Sequence, residues 1–115
     1  MGNLQSKEPD LNSKTLGRIL IVDDDDSIRF LLFKKLQKLG FQIIGANSLK
    51  TAKKQLTEQV FDAVILDQYL GDGTGFELVG KILTSSPFTK IIFLTSNESI
   101  EFASQTLLNG ASGFL

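Results

Sequence analysis

Short runs of apolar residues alternate along the chain with segments whose apolar residues recur every three or four positions. Three of the runs are four residues long, contain no polar residue and are rich in β-branched types: ILIV at 19–22, AVIL at 63–66 and IIFL at 91–94. Uninterrupted apolar runs of this length are typical of strands that are covered on both faces, as in parallel sheets. FQIIGA at 41–46 predicts a more exposed strand, and GFL at 113–115 predicts the beginning of a fifth.

Helices are predicted between these strands, in four segments with helical spacing at 27–39, 48–58, 75–85 and 98–109. The first is capped by Asp26 or Ser27 and ends at Gly40, and Ser48 caps the second. The apolar stripe of the first helix consists of Ile28, Leu31, Leu32, Leu36 and Leu39. Because strands and helices alternate, we predict an α/β fold with a parallel sheet between two layers of helices.

Composition narrows the possible functions of the chain. At 115 residues it forms one domain, in which we expect a flexible tail at 1–17 and a folded unit at 18–115. The net charge of −1 favours neither direct nucleic-acid binding nor an anionic membrane. Cysteine and histidine are absent, which excludes thiolate metal sites and a phosphohistidine in this chain. With no apolar run long enough to span a membrane and no signal peptide, we expect a soluble cytoplasmic protein.

A polar residue follows each of the three apolar runs. These residues are Asp23, with Asp24 next to it, Asp67 and Thr95. If the three strands are parallel neighbours, their carboxyl ends lie at one edge of the sheet, about 4.8 Å apart. A few carboxylates with room for water form the kind of site that Mg²⁺ takes in phosphate chemistry. A solvated turn at a helix N-terminus is the alternative interpretation of the aspartate run.

Four segments resemble, in order and spacing, the receiver domain of two-component response regulators, the CheY-like family. They are ILIVDDDDSIR, AVILDQYLGDGTGFEL, IIFLTS and NGASGFL. The resemblance implies a flavodoxin-like, doubly wound parallel sheet of five strands in the order 2-1-3-4-5. It also implies that the protein takes a phosphoryl group from a histidine kinase, a phosphotransfer protein or a small acyl phosphate, and that it then acts on a downstream protein effector.

The same resemblance assigns roles to individual residues. Asp67 is the phosphoacceptor, and Asp23 and Asp24 hold Mg²⁺ together with Asp67 and the backbone carbonyl of Tyr69. Thr95 contacts the phosphoryl group and acts as a switch residue with the aromatic Phe114. The chemistry is consistent, because phosphoryl transfer needs an in-line nucleophile and a cation more than it needs an acid or a base.

The loop after Asp67 and the end of the chain depart from the common pattern. Asp72 and Gly73 are a typical hairpin-turn pair, but the helical spacing from Phe76 onwards argues against a hairpin. The family pattern continues to a Lys-Pro pair and a fifth helix, whereas this sequence stops at Leu115. We therefore expect a receiver that lacks the fifth helix and either has low stability or self-associates, as a homodimer or a domain-swapped oligomer.

Two other functions compete with the phosphoacceptor. A pseudo-receiver would use the same fold as a protein-interaction module without a working phosphoryl switch. A Mg²⁺-dependent phosphohydrolase would form an aspartyl intermediate and turn over phosphate esters. That enzyme lacks an obvious second acid-base carboxylate here, because Tyr69 stands two residues past Asp67. We therefore predict a signalling module that supports its own phosphorylation and dephosphorylation, rather than an enzyme.

Overall fold

The computed structural model describes residues 15–94 of the chain. Strands and helices alternate within this range, with one small hairpin between the third long strand and the third helix. In chain order the elements are β1 (Arg18–Val22), α1 (Asp26–Lys38), β2 (Gln42–Ala46), α2 (Leu49–Glu58), β3 (Ala63–Asp67), β4 (Tyr69–Leu70), β5 (Gly73–Thr74), α3 (Phe76–Ser85) and β6 (Lys90–Leu94). The predicted helix at 98–109 and strand at 113–115 lie outside the described residues.

The four long strands form one parallel sheet in the order β2-β1-β3-β6. Since β6 is the fourth long strand of the chain, this order matches the first four positions of the predicted 2-1-3-4-5. Each of the three strand pairs is parallel and in continuous register, for example Val22 with Ala46 on one side and with Leu66 on the other. The predicted α/β fold is therefore confirmed.

The two central strands, β1 and β3, are buried on both faces, as their uninterrupted apolar runs predict, whereas β6 is only partly buried. In β1, Ile19 and Ile21 belong to one core cluster and Leu20 and Val22 to the other. Helix α1 covers the first cluster, with Leu32 and Leu36 as its buried residues. Helices α2 and α3 cover the second cluster from the other side, through buried residues that include Leu49, Ala52, Leu78 and Ile82.

Two predicted details of α1 are wrong. The predicted apolar stripe includes Leu31, yet this residue is 54% exposed. Leu32 and Leu36 face the sheet, and a helical step of about 100° turns Leu31 to the side of the helix. The cap is Asp25 and not Asp26 or Ser27, because Asp25 Oδ1 accepts hydrogen bonds from the N–H groups of Ser27 and Ile28 at 2.8 and 3.2 Å.

The beginning of the described chain is attached to the sheet. Leu16 packs against the first core cluster, and its N–H donates to the carbonyl of Gly40 at 3.0 Å. The Gly17 carbonyl accepts a hydrogen bond from Gln42 N at 2.9 Å. Residues 1–14 of the predicted tail lie outside the described residues, and the division of the chain at residue 18 stays a prediction.

Candidate functional site

Three carboxylates meet at the carboxyl edge of the sheet. Strand β1 leads directly into Asp23 and Asp24, and the adjacent strand β3 ends at Asp67. One carboxylate oxygen of each residue lies within 4.8 Å of those of the other two. The structure thus brings together these three of the residues predicted for the site, and it does so because the two parallel strands end side by side.

Asp23 is the most deeply placed of the three. Only 5% of its surface is exposed, whereas Asp24 is exposed and Asp67 is half-buried. Its backbone N–H donates to the carbonyl of Ala46 at the end of β2, at 3.1 Å, and its Oδ1 accepts from Asp25 N at 2.9 Å. The position of Asp23 is therefore fixed by the sheet on one side and by the entry to α1 on the other.

Burial and repulsion make the charge of Asp23 costly. Desolvation, followed by the negative charges of Asp67 and Asp24, raises the pKa of Asp23 from 3.8 to about 6, although the hydrogen bond from Asp25 acts in the opposite direction. Arg29 lies nearby, but its Nη2 pairs with the exposed Asp26 at 2.6 Å, and its Nη1 donates to the carbonyl oxygen of Asp23 at 2.9 Å. A buried carboxylate among like charges is the environment that a bound cation stabilises.

The donor set fits a hard divalent cation. All three side chains offer carboxylate oxygen, the ligand type that Mg²⁺ and Ca²⁺ prefer, and the exposure of Asp24 leaves space for coordinated water. Mg²⁺ keeps several waters and is bound through one or two carboxylates plus phosphate oxygens, which matches a site that is open on one side.

Replacing Asp23 with asparagine is expected to stabilise the metal-free protein by about 1–2 kcal/mol at neutral pH, because the amide has no charge to desolvate. The pKa of the Asp23 carboxyl is near 3.8 in the unfolded chain and about 6 in the folded one. The folded state therefore binds the proton more tightly, and the stability that Asp23 contributes is lost as pH rises through these two values.

Urea denaturation in EDTA at a series of pH values measures this difference. The wild type should lose free energy of unfolding relative to Asp23→Asn as the pH rises between the two pKa values. Two parallel curves would contradict the assignment of a buried, unpaired carboxylate. Added Mg²⁺ should stabilise the wild type and leave the variant unchanged.

The four consecutive aspartates at 23–26 have different surroundings. Asp23 and Asp24 belong to the carboxylate cluster, Asp25 caps α1, and Asp26 pairs with Arg29 on the surface. The sequence does not predict the roles of Asp25 and Arg29. Helix caps and (i, i+3) ion pairs are both common at the start of a helix. A run of four identical residues does not, however, indicate which aspartate caps α1 and which one pairs with Arg29.

The loop after Asp67 forms a hairpin, contrary to the prediction, and its two-residue turn is Gly71–Asp72 and not Asp72–Gly73. Tyr69 pairs with Thr74 and Leu70 with Gly73 in an antiparallel ladder, and α3 begins only at Phe76. The prediction was wrong because six residues separate Gln68 from Gly75, which is enough for a two-residue turn before the helical spacing starts. Leu70 fixes the hairpin to the sheet by entering the second core cluster.

The loop lies close to the carboxylate cluster. Tyr69 N is 3.4 Å from Asp67 Oδ1, and the Tyr69 side chain is 73% exposed. Gly75 N donates to the carbonyl of Gln68 at 2.9 Å, so the start of α3 lies against the backbone that leaves β3. The remaining predicted site residues, Thr95 and Phe114, lie outside the described residues.

The comparisons identify the family. Residues 19–115 match the response regulator receiver domain, so the chain belongs to that family and is a receiver domain of the two-component type. It is 36% identical over 98 residues to response regulator protein PilR of Pseudomonas aeruginosa, covering 85% of this chain and 22% of that protein. It is 31% identical over 99 residues to the alginate biosynthesis transcriptional regulatory protein AlgB of Pseudomonas putida, covering 86% and 22%. The chain thus spans about a fifth of the length of these curated relatives.

Solved structures agree with this assignment. Response regulator TrrA of Thermotoga maritima, in complex with Mg²⁺-BeF, has a TM-score of 0.64 and 35% identity, covering 78% of this chain and 79% of that one. The chemotaxis response regulator CheY4 of Vibrio cholerae has a TM-score of 0.68 and 28% identity, covering 88% and 100%. Within residues 15–94, no helix is both long and apolar enough to cross a membrane.

Proposed function

We propose that this receiver domain accepts a phosphoryl group on Asp67 in a Mg²⁺-dependent reaction and changes its protein contacts as a result. The observation that carries the proposal is the cluster of Asp23, Asp24 and Asp67, with carboxylate oxygens within 4.8 Å of one another at the end of two adjacent strands. The family supports it, because the similar structure of TrrA was solved with Mg²⁺-BeF.

The chain's own residues have distinct roles in this proposal. Asp23 and Asp24 would hold Mg²⁺ together with a carboxylate oxygen of Asp67 and the backbone carbonyl of Tyr69. When bound, the ion supplies positive charge for the equatorial phosphoryl oxygens. The buried position of Asp23 keeps one ligand fixed, and the half-exposed Asp67 leaves its other oxygen open to the phosphoryl donor.

Asp67 is the nucleophile of the transfer. Its carboxylate oxygen forms a bond to phosphorus while the bond from phosphorus to the donor breaks, and the leaving group keeps the electron pair. The donor is the phosphohistidine of a kinase or phosphotransfer protein, or a small acyl phosphate. This chain contains no histidine, so it accepts the group and does not originate the transfer.

Removing the divalent cation is expected to stop phosphorylation of Asp67, because three carboxylates would otherwise repel an anionic phosphoryl donor. The wild-type protein is incubated with acetyl phosphate, in Mg²⁺ or in EDTA, and the phosphorylated fraction is separated on a Phos-tag gel. We expect a shifted band in Mg²⁺ and none in EDTA.

Other results of this experiment would change the conclusion. Equal labelling in EDTA would contradict the role of the cation. A lack of labelling in both conditions, with the protein folded, would favour the pseudo-receiver, which interacts with partners without a phosphoryl switch. The switch roles of Thr95 and Phe114, the downstream effector, the cytoplasmic location and self-association stay predictions.

A further inference from the structure

The turn of the β4–β5 hairpin lies against the N-terminus of α2. Asp72 Oδ1 accepts a hydrogen bond from Leu49 N at 2.9 Å, and its Oδ2 accepts one from Lys50 N at 3.1 Å. The first N–H groups of a helix have no partner within the helix, and this end carries partial positive charge. These bonds, led by that from Leu49, hold the pKa of the Asp72 carboxyl below its usual value.

The glycine after Asp72 permits this close approach. Gly73 has a φ of +149°, and a Cβ added there would lie 2.5 Å from Leu49 Cδ1 and 2.7 Å from Glu77 Oε2. Leu70, the residue paired with Gly73, is buried in the same core cluster as Leu49. The tip of the hairpin is therefore in contact with α2 through the carboxylate of Asp72, through the backbone of Gly73 and through the packing of Leu70 in the core.

The hairpin depends on such contacts. Each of its strands is two residues long, and an isolated two-stranded hairpin is at best marginally stable in water. Tyr69 is at the base of the hairpin, two residues from Asp67, and its carbonyl is a proposed ligand. Contacts at the tip therefore help to hold the base of the hairpin beside the carboxylates.

We infer that Asp72 is a positioning residue for the cation site: by tying the hairpin to α2, it holds the Tyr69 backbone beside Asp67. This inference rests on the proposed function and deepens it. Without the hydrogen bonds of Asp72, a smaller fraction of molecules has the Tyr69 carbonyl beside the carboxylates. The apparent affinity for the cation then falls in proportion to that fraction.

Helix α2 offers a matched control, because a second residue caps it through hydrogen bonds that stay at the start of α2. Ser48 Oγ accepts a hydrogen bond from Thr51 N at 3.1 Å, and the Thr51 side chain accepts from Ser48 N at 3.2 Å. Ser48→Ala and Asp72→Ala therefore both remove a cap from the same helix end. Only Asp72→Ala also removes hydrogen bonds between the hairpin and α2.

The test is titration of the wild type and the variants with MgCl₂ by isothermal calorimetry, with thermal unfolding of each protein in EDTA alongside. We expect Asp72→Ala to weaken Mg²⁺ binding about three- to tenfold, as follows if the competent fraction falls to between about a third and a tenth. Ser48→Ala should lower the unfolding temperature in a similar way but change Mg²⁺ affinity less than about twofold. Asp72→Asn, which keeps one acceptor oxygen, should give an intermediate affinity.

The outcomes separate this inference from the proposed function. If Asp72→Ala and Ser48→Ala weaken Mg²⁺ binding equally, Asp72 is only a helix cap and the inference is overturned. If Asp72→Ala does not fold, Asp72→Asn with wild-type affinity would overturn it in the same way. A folded wild-type protein that binds no Mg²⁺ would instead overturn the proposed function itself.

Discussion

Replacing Asp67 with asparagine is expected to reduce phosphorylation by acetyl phosphate to background, because the amide oxygen is a poor nucleophile for phosphorus. The fold should persist, since asparagine has the same shape and its oxygen can keep the 3.4 Å contact with Tyr69 N. The loss of one negative charge next to Asp23 should make the metal-free variant slightly more stable than the wild type.

Asp26→Asn is the matched control for this prediction. Asp26 is another acid of the same edge, its side chain is 89% exposed, and it pairs with Arg29 outside the carboxylate cluster. Surface pairs of this kind contribute little to stability, so the control should be labelled within about twofold of the wild type. Labelling of Asp67→Asn at the wild-type level would place the phosphoryl group on another residue.

Replacing Gly75 with alanine is expected to destabilise the protein by about 1–3 kcal/mol and to impair the site at the same time. An added Cβ would lie 2.3 Å from the backbone carbonyl oxygen of Asp67 and 2.9 Å from Leu66 Cγ. Because a backbone oxygen cannot rotate away as a flexible side chain can, either α3 or the end of β3 must shift. A shift at the end of β3 would move Asp67 itself, so the phosphorylation rate should fall as well.

Helix α3 contains its own control for this substitution. Gly80 lies in the middle of the helix, and an added Cβ would meet nothing within 4 Å. Gly80→Ala should therefore stabilise the protein by about 0.5–1 kcal/mol, because alanine has the higher helix propensity. Urea denaturation compares the two variants, and a Gly75→Ala protein as stable as Gly80→Ala would contradict the close approach of α3 to Asp67.

The parts of the fold that sequence predicts best are those determined by local pattern. The apolar runs that begin at Ile19, Ala63 and Ile91 are all strands of the parallel sheet, because a run of four apolar residues rich in β-branched types suits a strand between two layers of helices. The meeting of Asp23, Asp24 and Asp67 follows from the same pattern, since parallel neighbours end at one edge. The roles proposed for these residues stay predictions.

The features that the sequence did not predict depend on contacts between distant segments. Asp72 binds the start of α2, more than twenty residues away, and local spacing carries no signal of such a contact. The prediction against a hairpin rests on the helical spacing from Phe76 onwards, but the paired residues 69–74 all precede that helix. Leu31 was misplaced for a similar reason, since sequence gives the period of a helix but not which side of a broad apolar stripe faces the sheet.

The most direct test of the central claim identifies the residue that carries the phosphoryl group. The wild-type protein is phosphorylated with acetyl phosphate in Mg²⁺, reduced with sodium borohydride, which converts an aspartyl phosphate to homoserine, and mapped by tandem mass spectrometry. The account predicts homoserine at position 67 and at no other aspartate. Homoserine at Asp23 or Asp24, or unmodified aspartate at all positions in a folded protein, would contradict it.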